Sequence, residues 1–260
     1  MHNAAFAHLG LNWCYLAGEV DPKHLGTAIA GAQAMGFAGL NLTVPHKLLA
    51  VELVDALDAS ARQWGAVNTI RFDAHGSTGF NTDADAIVTS LREDLQVELR
   101  GAKVLLLGAG GAGRTAALRL AAENVAELFL VNRTQSKAEA IAEEIRRQSP
   151  SVRAVTGYPQ GGLDLVLNAT SLGLRPGDDS PLDEAQFTLQ QTRAVYDMIY
   201  RPAETPLLRT ARLAGCQTAN GLGMLLHQGA KAFEIWTGQT APLEVMRRAL
   251  AENIYASSRT

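Results

Sequence analysis

The chain has 260 residues, 47% of them apolar, and a net charge of −3 from 23 Lys and Arg against 26 Asp and Glu. That is enough for one large globular domain or two small ones. There is no run of like charges, no apolar stretch long enough for a bilayer and no signal-peptide pattern, so nucleic acid and membranes are excluded as expected partners and the cytoplasm is the expected location.

In chain order, residues 2–9 read as a helix stopped at Gly10, and residues 13–16 as a strand. Asp21-Pro22 opens a helix carrying Leu25, Ile29 and Met35, and residues 37–42 form the next strand. Thr43-Val44-Pro45-His46-Lys47 then turns into a helix carrying Leu49, Leu53, Val54 and Leu57, which gives a βαβ rhythm. Residues 64–72 supply a strand, Ala74-His75-Gly76 a turn, and Gly79-Phe80-Asn81-Thr82-Asp83 the entry to a long helix through Leu91. Strands are expected at 104–107, 127–131, 164–168 and 194–199, and helices after Gly113, over 136–147, from Gly221 and over 242–255. Cys14 and Cys216 lack C-x-x-C spacing and are expected to be small buried hydrophobes. The six His form no metal-binding pattern, so no metal is predicted.

The most informative stretch is Gly108-Ala109-Gly110-Gly111-Ala112-Gly113, placed between an apolar strand and an Ala-rich helix. Gly108 lets the turn close, Gly110 leaves room for a ligand, and Gly113 lets helix and strand pack closely. The helix start then presents unpaired N–H groups and a positive dipole end to a pyrophosphate. At the end of the second strand stands Asn132-Arg133-Thr134, where an NAD site would place an acid. A charge-assisted contact from Arg133 is worth roughly 1.5–3 kcal/mol, which favours NADP over NAD by about tenfold to a hundredfold.

A nicotinamide cofactor carries a hydride and no proton, so a side chain must handle the hydroxyl proton. Lys47, at a strand-to-helix turn, and Asp83, at the start of the long helix, are the candidates. An ammonium oriented by a nearby carboxylate in a closed cleft can shuttle a proton. Two such residues also make an ordinary salt bridge, and Asn68, Thr43 and Gln228 have ordinary uses as turn cap, N-cap and helix surface. Ser171, in a faint echo of a nucleophile elbow, reads as a cofactor-loop residue, and His46 as structural.

Taken in order, Thr43-Val44-Pro45-His46-Lys47, Gly65-Ala66-Val67-Asn68-Thr69, Gly79-Phe80-Asn81-Thr82-Asp83, the Gly-rich turn, Asn132-Arg133-Thr134, Asn168-Ala169-Thr170-Ser171, Tyr196-Asp197-Met198-Ile199-Tyr200 and Gly223-Met224-Leu225-Leu226-His227-Gln228 resemble the shikimate dehydrogenase family over essentially the whole chain. The resemblance implies an α/β fold of two domains with a cleft between them. Residues 1–82 with 221–260 form the substrate-binding and catalytic domain, and 83–220 a Rossmann-type NADP-binding domain. It implies NADPH-dependent, reversible reduction of 3-dehydroshikimate to shikimate by a monomer or homodimer. The runner-up is a quinate/shikimate dehydrogenase of broader specificity, and a non-catalytic NADP-binding protein is the rival from another class.

By the same resemblance, Lys47 and Asp83 are the catalytic pair, and Thr43, Asn68, Tyr200 and Gln228 hold the substrate. Gly108, Ala109, Gly110, Gly111 and Ala112 cradle the pyrophosphate. Asn132, Arg133 and Thr134 take the adenosine phosphate, and Thr170, Met198 and Gly221 complete the cofactor site. Neutral donors and acceptors suit a hydroxylated carboxylate, and such sites discriminate well. The family begins with a strand and two serine-type hydroxyls before a stretch like His2-Asn3-Ala4-Ala5-Phe6. The expectation is therefore that this first strand is missing from a chain starting at Met1, with part of the carboxylate site, and that the natural protein is longer.

Overall fold

The computed structural model describes residues 1–255. It divides into two compact units, Met1–Ala86 with the chain from Leu225 on, and Ile87–Met224. No helix among the described residues is long and apolar enough to cross a membrane.

The first unit starts with α1 (His2–His8), α2 (Leu25–Ala34), β1 (Gly39–Asn41), α3 (His46–Leu49), β2 (Ala56–Leu57), α4 (Ala59–Trp64), β3 (Thr69–Asp73) and β4 (Gly76–Phe80), and α5 (Asp83–Leu95) leads out of it. Its sheet has the order β1-β3-β4-β2. The expected βαβ rhythm is replaced by a mixed sheet, with β1/β3 and β3/β4 antiparallel and β2/β4 parallel. The two-residue Ala74-His75 connection permits only a hairpin, which makes β3/β4 antiparallel. Asp73 Oδ1 accepts from His75 N at 2.8 Å and closes it. The core joins Leu25 and Ile29 of α2 to Ala50, Ala61, Val67 and Ile70.

Several expectations fail here, among them the strand expected over 64–72, which begins only at Thr69 because Trp64 closes α4. The helix expected to carry Leu49, Leu53, Val54 and Leu57 is α-helical only to Leu49 and runs on as a 3₁₀ turn over Ala50–Glu52; Leu49 and Leu53 face solvent, and Leu57 is drawn into β2 by pairing with Gly79 of β4. Met35 caps α2 and is 70% exposed instead of packing in the core. Residues 13–16 form no strand, since they have no ladder partner among the described residues. In place of a partner strand, the Asn3 carboxamide donates to Tyr15 O at 3.0 Å and accepts from Tyr15 N at 2.6 Å. Cys14, on this segment, is exposed, whereas Cys216 is buried as expected.

The second unit carries β5 (Lys103–Leu107), α6 (Gly111–Ala122), β6 (Glu127–Val131), α7 (Gln135–Gln148), β7 (Arg153–Thr156), β8 (Leu163–Asn168), β9 (Thr192–Asp197), α8 (Pro206–Leu213) and β10 (Gln217–Asn220). The six strands are all parallel in the order β10-β9-β8-β5-β6-β7. Buried on both faces, the central strands are near-continuous apolar runs. Leu105, Leu107, Val166 and Val195 pack with Leu207 and Leu208 of α8. The strand order reverses between β5 and β8, so ligands belong at the carboxyl ends of those strands.

The chain returns through α9 (Leu222–Thr237) and α10 (Leu243–Tyr255). Within the first unit, Phe233 stacks on Phe6 at 5.4 Å between ring centroids, and Trp236 Nε1 donates to Ile70 O at 2.9 Å.

Candidate active site

In the first unit, Lys47 Nζ lies 2.7 Å from Asp83 Oδ2, with the two side chains 26% and 12% exposed. Local structure fixes both partners. Val67 N donates to Lys47 O at 2.9 Å, which ties the lysine's backbone to the segment before β3. Asp83 is the first residue of α5, and Asn81 Oδ1 accepts from Asp83 N at 3.1 Å and Ala84 N at 3.2 Å as its cap. An ammonium has three donors. One bond to Asp83 leaves the others for an incoming oxygen.

Asn68 is 2% exposed. Its Oδ1 accepts from Thr82 N at 2.8 Å and Thr69 Oγ1 at 3.2 Å, and its Nδ2 donates to Thr82 Oγ1 at 2.9 Å. Behind it, Asn41 Nδ2 donates to Thr69 Oγ1 at 3.0 Å and to Asn68 O at 3.3 Å, and Tyr15 Oη donates to Asn41 Oδ1 at 3.0 Å. The carboxamide is thus locked in one orientation with an N–H to spare. The supporting residues Asn41, Thr69, Asn81 and Thr82 are ones that sequence reasoning misses. Their signal was polar residues inside otherwise apolar strand and turn segments, three of them within the very motifs quoted. Thr43 is exposed, and its carbonyl accepts from His46 N at 2.8 Å at the turn that opens α3. Gln228, on α9, donates from Nε2 to Leu225 O at 2.9 Å.

In the second unit, Gly108 has φ +105°, and a Cβ at Gly113 would overlap the Gly108 carbonyl oxygen. Open space lies over Gly110 and Gly111, and no side chain caps the α6 N-terminus. This is the cradle a pyrophosphate requires: free N–H donors, the positive end of a twelve-residue helix, and no side chain in the way. Asn132 has a task beyond the expected one. Its Oδ1 accepts from Ala109 N at 3.0 Å and its Nδ2 donates to Thr134 O at 2.8 Å, so it ties the Gly-rich turn to the loop after β6. Arg133 and Thr134 are exposed beside it, and Arg133 makes no hydrogen bond or ion pair among the described residues.

Thr170 donates from N and Oγ1 to Asn168 Oδ1 at 2.9 and 2.8 Å. Met198 N donates to Asn168 O at 2.9 Å, and Gly221 N to Ile199 O at 3.2 Å. A Cβ on Gly221 would strike the Met198 carbonyl, so these two residues lie directly against each other. Tyr200, two residues after Met198, is 37% exposed. Burial raises the Asp197 carboxyl above the ordinary carboxylate range, against the donors of Thr205, Ile199 and Asn168. Among the described residues, no group of three or more His, Cys, Asp or Glu could hold a metal ion.

Comparisons with known proteins give the family. Residues 1–70 match the family model described as the shikimate dehydrogenase substrate binding domain, 90–172 that of shikimate / quinate 5-dehydrogenase, and 221–251 that of the shikimate 5'-dehydrogenase C-terminal domain. The shikimate dehydrogenase (NADP(+)) of Methanopyrus kandleri is 42% identical over 98% of this chain and 90% of its own. A solved shikimate dehydrogenase in complex with NADP+ superposes with a TM-score of 0.88 at 38% identity, covering 97% of this chain and 89% of that one. The Thermus thermophilus shikimate 5-dehydrogenase, solved with NADP(H) and shikimate, gives 0.85 at 34% identity over 96% and 92%. With similarity at this level running end to end through both units, the chain belongs to the shikimate dehydrogenase family.

Proposed function

We propose that this protein catalyses the reversible, NADPH-dependent reduction of 3-dehydroshikimate to shikimate, with Lys47 and Asp83 handling the proton. The observation that carries the reading is the 2.7 Å contact between the Lys47 ammonium and the Asp83 carboxylate, formed by residues from the starts of α3 and α5. NADPH, when bound, supplies the hydride. The Gly-rich turn of residues 108–112 receives its pyrophosphate, Asn132, Arg133 and Thr134 the adenosine phosphate, and Thr170, Met198 and Gly221 the remainder.

In the reducing direction the Lys47 ammonium donates a proton to the substrate's carbonyl oxygen as that oxygen becomes an alkoxide. Asp83 holds the ammonium in position and balances its charge, and in the reverse direction Lys47 takes the hydroxyl proton back. Thr43, Asn68, Gln228 and Tyr200 bind the ring hydroxyls and the carboxylate. Asn68 suits this because its orientation is already fixed, so little ordering is left for the substrate to induce. The reading goes with a cytoplasmic protein that has no nucleic acid partner and works as a monomer or homodimer.

The test is one spectrophotometric assay with shikimate or quinate against NADP+ or NAD+. The proposal expects shikimate with NADP+ to give the highest kcat/KM. Turnover favouring quinate, or NAD+, would replace it with the broader dehydrogenase.

A further inference from the structure

β8 and β9 end side by side, with Asn168 opposite Asp197 in the ladder. Both residues are fully buried. The Asp197 carboxylate is engaged at both oxygens. Oδ1 accepts from Asn168 Nδ2 at 2.9 Å and from Ile199 N at 3.0 Å, and Oδ2 accepts from Thr205 Oγ1 at 2.6 Å. Each partner extends the constraint. Asn168 Oδ1 holds Thr170 through its N and Oγ1, and Asn168 Nδ2 also reaches Leu172 O at 3.4 Å. The Thr205 hydroxyl accepts from Leu208 N at 3.3 Å and caps α8. One carboxylate therefore anchors the loop after β8, the loop after β9 and the start of α8.

A buried carboxylate is a costly way to fill a sheet core, and a well-packed apolar residue would serve stability at least as well. What an apolar residue cannot do is accept from a side-chain amide, a loop N–H and a hydroxyl on separate segments. We infer that Asp197 is a positioning residue for the dehydrogenase reaction, its carboxylate fixing the courses of the loops that carry Thr170, Met198 and Tyr200. The inference rests on the function proposed above. Asp197 acts only through the residues it holds.

The test uses the full chain with Asp197→Asn, Thr205→Val and the double variant. Asp197→Asn keeps the shape and one accepting oxygen but sets an NH2 group where Oδ2 receives the Thr205 hydroxyl. Thr205→Val removes that hydroxyl. The readouts are NADPH Kd by calorimetry, kcat and KM with shikimate and NADP+, and thermal unfolding. For Asp197→Asn, NADPH Kd should rise and kcat fall by about tenfold each in folded protein. Thr205→Val should shift both in the same sense by less, and the double variant should be no worse than Asp197→Asn alone. A lower Tm with unchanged Kd and kcat overturns the inference, because the network would then be structural only, and so does full additivity. If Asp197→Asn does not fold, unchanged Kd and kcat in Thr205→Val overturn it equally. Wild-type protein that binds NADPH without turning over shikimate would sink the proposed function while leaving the Kd comparison to judge Asp197.

Discussion

In the unit built on β5–β10, the groups offered to a ligand are mostly backbone: the N–H groups over Gly110 to Ala112 at the uncapped start of α6. In the unit built on β1–β4 they are side chains, Lys47, Asp83 and Asn68, each held by a further polar side chain or backbone group. An arrangement of the first kind suits a phosphate common to many cofactors and needs absence of side chains. One of the second kind suits a single pattern of oxygens and needs particular side chains at fixed angles. A backbone site is therefore broken by adding atoms, and a side-chain site by removing them.

The largest expected effect comes from Lys47→Ala. Loss of the proton donor should lower kcat by about 10²- to 10⁴-fold, with the shikimate KM within a few fold, because the role belongs to the transition state. Equal damage to kcat and KM would make Lys47 a binding residue and blur the contrast. Next is Gly113→Ala, a change of one methyl. Its Cβ would overlap the Gly108 carbonyl oxygen, and relieving that overlap opens the turn. About 1–3 kcal/mol of overpacking predicts NADPH Kd raised by about ten- to a hundredfold, measured by calorimetry. Unaltered NADPH affinity would mean the turn does not cradle the pyrophosphate. Third, Arg133→Ala should weaken NADP+ by about tenfold, the lower end for a charge-assisted contact at an exposed side chain, and leave NAD+ nearly unaffected. Similar losses for both cofactors would reduce Arg133 to a loop residue.

The same contrast explains what could be read without coordinates. In the second unit, central strands flanked by others on both sides had to be apolar runs, and β5, β6 and β8 fall where those runs lie. Its edge strands did not stand out: β7 reads Arg-Ala-Val-Thr and β10 Gln-Thr-Ala-Asn, with only one of eight residues buried. The Thr205-Pro206 start of α8, by contrast, is a cap signal present in the sequence. In the first unit, strands of two to five residues give too little periodicity to separate from a helix face, hence the misjudged helix after Lys47. Its candidate site was legible at the level of motifs. That Lys47 meets Asp83 across 36 residues, and that Asn41 and Thr69 brace Asn68, are products of strand pairing that no local pattern contains.

The smallest effect separates the units by pH. His2 is buried against Tyr15 and Trp236, with ring centroids 4.4 and 5.5 Å away, and its Nδ1 has no partner. Burial, then the nearby Met1 ammonium, lowers its pKa to about 4 from 6.5. The folded first unit thus resists a proton that the unfolded chain accepts, so the stabilisation is fully present above pH 6.5 and is lost as pH falls from there toward 4. Asp197 in the second unit has the opposite sense: its carboxyl is raised by burial, so its contribution is present below the ordinary carboxylate range and lost as pH rises through the raised value. The tryptophans Trp13, Trp64 and Trp236 all lie in the first unit, so their fluorescence follows that unit's unfolding. Between pH 6.5 and 5.5 the His2 contribution should fall by about 1 kcal/mol. His2→Phe keeps the stacking and removes the titration, so urea unfolding followed by tryptophan fluorescence should lose that increment of acid sensitivity. An equal slope in variant and wild type would show that His2 takes up its proton without unfolding the aromatic cluster, and the acid-labile region would have to be sought elsewhere.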